Sequence, residues 1–410
     1  MTMSTDDTRF LANPTADRTM EYGPSERCIL SAARAAQVEA EITSWPGYEP
    51  TPLRNLRGLA AQVGVCVVWY KDEAGRFGLG SFKALGGAYG VLQTLVREVR
   101  CHAGNREVSS RDLVAGKHRE LVSRICVTCA TDGNHGRAVA WGAQTFGCQC
   151  VVYLPKRVSR HRETAISSLG ATTVRVDGNY DDAVHRAHED AATHGRIVVS
   201  DTSYADYRDI PRDVMQGYTV MVAETLRQLP EGKRPTHVFV QGGVGGLASA
   251  VCAHLWEFWG ADRPALVVVE PDKAACLFES ARKGQPVRVT GPLDTIMACL
   301  AAGEVSQLAW EILRCGADAF LTIPDSMAVQ AMRLLAQGVA GEAPIVAGES
   351  GVAGLGGFLV AMEQPAIRDE LRLGQDSRVL LFGTEGATDP EIYQAVVGRP
   401  PHEIVSQSRS

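Results

Sequence analysis

The chain has 410 residues, 45% hydrophobic and 21% charged, which is enough apolar material for two substantial domains without disulfide staples. A formal charge of -6, from 41 basic and 47 acidic residues, offers no field for a polyanion, so no nucleic-acid partner is expected and any phosphate must be held by a local site. Eleven cysteines without the spacing of a small secreted framework point to a reducing, cytoplasmic setting.

The opening MTMSTDDTRF is polar and lacks the basic region and apolar core of a signal peptide. No apolar run of about 18 residues follows, so no membrane span is expected. Residues 1–24 read as a polar lead-in. Residues 28–43 have helical spacing, stopped by Trp45-Pro46-Gly47-Tyr48. VCVVWY (65–70) is a strand by length and β-branching, KDEAGRFGLG a turn or loop, and SFKALGGAYGVLQTLVREV a helix whose first turn holds Lys83.

From about residue 96, strands and helices alternate: RICVTCA, NHGRAVAWGAQTFG, CQCVVYLP, SRHRETAISSLG, TTVRV, YDDAVHRAHEDAATHG and RIVVSD. The strands are short, apolar and nearly unalternated, as in a parallel sheet covered on both faces. Residues 96–206 are therefore expected to form a small α/β domain. The expected large domain is discontinuous, residues 25–95 and 207–400, with 401–410 as a tail. Its second part holds the strands THVFVQ, ALVVVEP, DAFLTIPD and SRVLLFG with helices between them. This open α/β pattern places ligands at the carboxyl ends of strands.

Cys126 and Cys129 form a CxxC, and Cys148 and Cys150 a CxC, the spacing of a zinc knuckle or redox pair. Their apolar runs favour the plainer reading, small hydrophobic residues in buried strands, and no metal site is assigned.

Three strand-to-loop junctions carry chemistry. In VFVQGGVGGLASAV a strand delivers Gly242, Gly243, Gly245 and Gly246 to the mouth of a helix, where bare backbone amides and the helix dipole suit a phosphate. A tight structural turn is the alternative, and Glu270 at the end of the next strand keeps a dinucleotide reading open. In TDGNHG (131–136), Asp132, Asn134 and His135 stand at a second junction, where Asp132 is either a working acid or an N-cap. In SDTSYADYRDIP, Asp201 follows a strand near Tyr204, Tyr207 and Asp209, as a polar pocket or an exposed crossing. Lys83, between Phe82 and Ala84 in GLGSFKALGGAYG, is either a nucleophile or Schiff-base partner, or a lysine snorkelling at a helix start.

These clusters, in this order, resemble the tryptophan-synthase-β-like superfamily of pyridoxal phosphate enzymes, fold type II, which includes threonine dehydratase and cysteine synthase. Ser81-Phe82-Lys83-Ala84 matches the superfamily's SFKxR up to the arginine, which is Leu85 here. Thr131 to Gly136 resembles its SxGNHG loop, with Asp132 where relatives carry small or hydroxyl residues. Gly242 to Gly246 matches its phosphate loop and Thr384 in GTEG its hydroxyl facing the pyridine nitrogen. Lys83, Asp132, Asp201 and the tail TEGATDPEIY, taken together, look like the diaminopropionate ammonia-lyases, a likeness running over about residues 15–400.

The resemblance implies two open twisted α/β domains with the active site in the cleft between them, pyridoxal 5'-phosphate as cofactor, an amino-acid substrate and a homodimer off the membrane. It implies Lys83 as the Schiff-base residue beside Phe82, phosphate amides from Gly242, Gly243, Val244, Gly245 and Gly246, and ring contacts from Asn134 and Thr384. The implied reaction converts D- or L-2,3-diaminopropionate to pyruvate and two ammonia. One base on one face cannot take both Cα protons, so Lys83 and Asp132 are expected to divide them, with Asp201 facing the second ammonium. His135 is expected to shape the pocket, and Glu349 and Ser350 to complete a wall or a structural turn. A serine or threonine dehydratase of the same fold, a nicotinamide-dependent dehydrogenase and a ligand-sensing relative are the competing readings.

Overall fold

A computed structural model describes residues 8–103 and 107–407, with side chains placed for all of these except 103 and 405–407. The lead-in's residues 1–7 and the tail's 408–410 lie outside the described residues. In chain order the strands are β1 (Phe10–Ala12), β2 (Leu53–Asn55), β3 (Val67–Asp72), β4 (Cys126–Ala130), β5 (Gln149–Pro155), β6 (Thr172–Val176), β7 (Ile197–Val198), β8 (His237–Gln241), β9 (Ala265–Pro271), β10 (Ala319–Ile323) and β11 (Arg378–Gly383). They form a seven-stranded sheet, β1-β10-β9-β8-β11-β3-β2, and a four-stranded sheet, β6-β5-β4-β7.

The chain divides into two compact units. Among the described residues, one comprises those up to Ala32, Pro50–Ser81 and those from Met221 on; the other comprises Ala33–Glu49 and those from Phe82 to Val220. These junctions differ from the boundaries near 95 and 206 expected from strand rhythm. The reason is packing. The helix Lys83–Ala103 lies close against Asn134–Phe146: a Cβ on Gly87 would come within 2.7 Å of Ala138 Cβ, and one on Gly142 within 2.8 Å of Ala88 Cα. Trp45 likewise meets Phe146 edge-on at 5.5 Å, which ties residues 33–49 to the same unit.

In the larger unit, β8 to β11 and β3 are parallel and buried along nearly their whole length, which explains their lack of alternation. The edges are antiparallel: β2 pairs with β3, and β1 with β10 in the register Phe10↔Leu321. The lead-in thus contributes a strand, because Phe10-Leu11-Ala12 is an apolar break in a polar segment. At the other end, the expected tail forms the helix Pro401–Gln407 and buries Ile404 in the core shared with Val379, Leu381 and Phe239. Residues 28–43 are two helices, Pro24–Ile29 and Ala32–Ile42, separated by extended Leu30.

The segment read as a plain turn, KDEAGR, carries a buried ionic cluster. Glu224 receives Lys71 Nζ at 2.7 Å and Arg76 Nη1 at 2.7 Å, while Arg76 also grips Glu73 through two 2.8 Å bonds; all four side chains are at most 1% exposed. Burial alone would raise the Glu224 carboxyl, but Arg76 and Lys71 more than offset it and hold it at about 2.

The smaller unit's sheet is wholly parallel, so its strands end on one edge, with β4 and β7 adjacent at Thr128↔Val198. Cys126 and Cys129 lie on β4 and Cys150 on β5, and burial pushes all of these thiols, and Cys148 to about 12, above their ordinary range. Among the described residues no helix is long and apolar enough to cross a membrane.

Candidate active site

Adjacent strand ends assemble the polar groups of the smaller unit. The chain leaving β4 supplies Thr131 to His135, and the chain leaving the neighbouring β7 supplies Asp201. Lys83, the first residue of its helix, reaches across to Asp201, with Nζ 2.5 Å from Oδ2. Its ammonium lies 5.4 Å from the Phe82 ring centroid and 5.5 Å from that of Tyr218, and these two rings pack at 4.7 Å. The contact demands glycine at 86, where a Cβ would run into the Tyr218 ring. Burial would raise the Asp201 carboxyl; the Lys83 ammonium outweighs it and holds Asp201 well below the usual carboxylate range.

His135 is buried beside this pair. Its Nε2 is 2.8 Å from the Val199 carbonyl oxygen and its Nδ1 3.9 Å from Asp201 Oδ2. Burial lowers the imidazole, and Asp201 only partly opposes that. Asn134, 6% exposed, opens the helix Asn134–Phe146.

Asp132 is not the N-cap. Gly133 occupies that position at φ 149°, and the Thr131 hydroxyl receives the amides of Gly133 and Gly136 at 2.9 and 3.0 Å. The Asp132 side chain is 10% exposed and faces Arg157, with Nη2 3.3 Å from Oδ1, while Arg162 donates to its backbone oxygen at 3.0 Å. Burial dominates and raises Asp132 to about 6, with Arg157 and Arg162 opposing. Burial keeps the Tyr180 phenol protonated, reinforced by Asp201, Tyr204 and Asp132. Sequence reasoning passed over Tyr218, Arg157 and Tyr180, since nothing in the local pattern distinguishes them.

The larger unit presents the glycine loop at the end of β8. Gly242 is fully enclosed, since a Cβ there would come within 2.7 Å of Val268 and 2.8 Å of Leu277; Gly245 has φ +98°, which disfavours any side chain. The helix Gly246–Trp259 starts with no side-chain cap, so its first amides are open to an anion. At the neighbouring end of β11, Thr384 is 4% exposed and its Oγ1 accepts from Gln241 Nε2 at 2.6 Å. Glu385 follows, taking the Ser350 amide at 2.9 Å, and Ser350 Oγ accepts from the Cys299 amide at 3.1 Å, so Ser350 is committed to holding this turn.

Glu270 settles the dinucleotide question. It is fully buried and accepts the amides of Leu277 and Phe278 at 2.8 and 2.7 Å, with its carboxyl raised by burial to about 8. An acid spent on a helix start beneath the loop is not placed for a ribose hydroxyl.

Comparison with known proteins agrees with this geometry. The profile of the family described as "Pyridoxal-phosphate dependent enzyme" matches residues 44–384. The chain is 40% identical over 362 residues to the diaminopropionate ammonia-lyase of Escherichia coli strain K12, covering 87% of this chain and 89% of the relative. The crystal structure of the holo diaminopropionate ammonia lyase from Escherichia coli superposes with a TM-score of 0.87 at 38% identity, covering 95% of this chain and 96% of that one. That enzyme in complex with an aminoacrylate-PLP azomethine reaction intermediate superposes at 0.85 and 37% identity, with the same coverage.

One observation in each unit fits pyridoxal phosphate: in the larger, a loop packed so closely that Gly242 and Gly245 admit no side chain, leading into a helix without a side-chain cap; in the smaller, a part-buried lysine ammonium flanked by two rings. Thr384, its oxygen already accepting from Gln241, keeps a hydroxyl hydrogen to donate. On motif, geometry and descent, the chain belongs to the diaminopropionate ammonia-lyase family of fold type II pyridoxal-phosphate-dependent enzymes.

Proposed function

We propose that this chain is a pyridoxal-phosphate-dependent lyase that removes ammonia from 2,3-diaminopropionate of either hand, yielding pyruvate and two ammonia. One observation carries the reading: two acids on one sheet edge are pushed in opposite directions, Asp201 held ionised against Lys83 and Asp132 raised to about 6. Groups driven apart in this way take different roles, one as a fixed charge and one as a proton carrier.

The cofactor, when bound, supplies the electron sink that makes the Cα proton labile and lets the β-substituent depart. Lys83 would hold it through Nζ beside Phe82, with amides of Gly242, Gly243, Val244, Gly245 and Gly246 on the phosphate, Asn134 at the ring hydroxyl and Thr384 donating to the ring nitrogen. Lys83 Nζ takes the proton presented on one face and Asp132 the proton presented on the other. Asp201, anionic throughout, holds the second ammonium, and a protonated β-amine leaves more readily than a neutral one. The released enamine hydrolyses in water to pyruvate and the second ammonia. The reading also takes the protein as a cytoplasmic homodimer, supported by eleven free cysteines and by Phe258, 65% exposed at the end of an apolar helix.

The test is pyruvate release by the cofactor-loaded protein given D- and L-2,3-diaminopropionate, D- and L-serine and L-threonine. Strong turnover of both diaminopropionates with weak serine activity supports the reading. Preference for serine or threonine moves the chain to the dehydratases.

A further inference from the structure

We propose that His135 is a specificity-determining residue, the second acceptor for the substrate's β-ammonium beside Asp201; the proposal rests on the substrate reading above. In this structure Lys83 Nζ marks an ammonium site: Asp201 Oδ2 at 2.5 Å, with the Phe82 and Tyr218 rings at 5.4 and 5.5 Å. His135 Nδ1 stands 3.9 Å from the same carboxylate oxygen.

The tautomer follows from the far side of the ring. A carbonyl oxygen only accepts, so the 2.8 Å contact between Nε2 and Val199 O places the hydrogen on Nε2. In the neutral ring Nδ1 then carries a lone pair. It is buried and has no hydrogen-bond partner among the described residues. A lone pair facing an anionic oxygen across 3.9 Å is unfavourable unless a donor joins them.

An ammonium at the usual distance of about 2.8 Å from both atoms spans that gap. Having three hydrogens, it satisfies Asp201 and His135 together, whereas a hydroxyl has one hydrogen and must leave one acceptor bare. A site built this way rejects a serine-like hydroxyl in favour of an amine, because the wrong substrate strands a buried polar atom. Asp201 alone attracts positive charge; the pair of acceptors counts hydrogens.

Two substitutions separate this role from simple support of the fold. In His135→Gln the side-chain amide can still donate to Val199 O, but no acceptor remains at the Nδ1 position. In His135→Asn an acceptor can occupy the Nδ1 position while the Val199 bond is lost. The measurement is kcat/KM of the holoenzyme variants for D-2,3-diaminopropionate and D-serine, with Tm recorded for each.

The expected result is that His135→Gln loses roughly tenfold to a hundredfold on diaminopropionate, chiefly through KM, while serine stays within about threefold. His135→Asn is expected to retain the preference at a lower Tm; should it not fold, the glutamine variant decides alone. Equal loss on both substrates in His135→Gln, or an unchanged preference, overturns the proposal. A wild-type enzyme that prefers serine overturns the substrate reading first, and this proposal with it, before any variant is made.

Discussion

Gln241 Nε2 donates to Thr384 Oγ1 at 2.6 Å, joining the carboxyl ends of the neighbouring strands β8 and β11. The same nitrogen lies 3.0 Å from Gly351 O and 2.9 Å from Phe382 O, so the two amide hydrogens are shared among three acceptors. Because the glutamine is the donor, the threonine hydroxyl is turned to donate elsewhere. Gln241→Leu would remove this donor from a buried polar site, for an expected loss of about 3 kcal/mol in stability. Denaturant midpoints check that figure, and weaker cofactor retention in dialysis should accompany it. An unchanged cofactor affinity would show that Thr384 does not depend on Gln241 for its orientation.

The glycine loop makes a prediction about affinity. Gly245→Ala meets a strained φ of +98° and a Cβ only 3.0 Å from Ala309 Cβ, so the loop amides proposed to hold the phosphate must shift. Cofactor affinity is expected to fall by roughly tenfold to a hundredfold, with activity recovered at high pyridoxal phosphate, as for a lost set of charge-assisted hydrogen bonds. Titration of the apoprotein, followed by absorbance, would detect it. Wild-type affinity in the variant would remove the phosphate from this loop.

The buried cluster of Lys71, Glu73, Arg76 and Glu224 predicts acid sensitivity. Glu224 has an ordinary value of 4.5 and is held at about 2 in the fold. A depressed folded value means that its contribution is complete above 4.5 and fades as the pH falls toward 2. Glu224→Gln leaves Lys71 and Arg76 with one carboxylate between them, and breaking such a buried set costs about 3–5 kcal/mol. The variant should therefore be less stable at neutral pH and show a flatter stability profile between those two values. A variant as stable as the wild type at pH 7 would mean that the cluster relaxes around the loss.

Parallel order and strand ends were legible in the sequence because short, unalternated apolar runs followed by glycine or polar turns have few other physical explanations. Asp132, Asp201 and the glycine loop all stand at such ends, while Lys83 opens a helix and was singled out by its apolar, glycine-flanked neighbours. The junctions at 81 and 220 were not legible, since helix-to-helix contact through Gly87 and Gly142 leaves no local period. Nor was the cluster around Glu224, where the partners of a charge in KDEAGR lie some 150 residues away. Tyr218, Arg157 and Tyr180 belong to the same class: their value comes from what they face, and spacing along the chain does not encode it.

Asp132 and Arg157 give the sharpest test of the two-base reading. Asp132 stands at about 6, raised by burial and restrained by Arg157 3.3 Å away, so it is mostly ionised and able to accept a proton near pH 7. Asp132→Asn removes that base, for an expected loss of roughly a hundredfold to ten-thousandfold in kcat on the isomer it serves and less than about tenfold on the other. We assign it the D isomer. Removing Arg157 acts in the opposite sense on the same atom: with Arg157→Ala the carboxylate loses its stabilising cation, its pKa rises, and less of it is ionised at any given pH. The acid limb of kcat/KM for D-diaminopropionate should then move to higher pH, while the limb for the L isomer stays where it was. A limb that moves equally for both isomers would make Arg157 and Asp132 part of the common binding site, and the two protons would need another explanation.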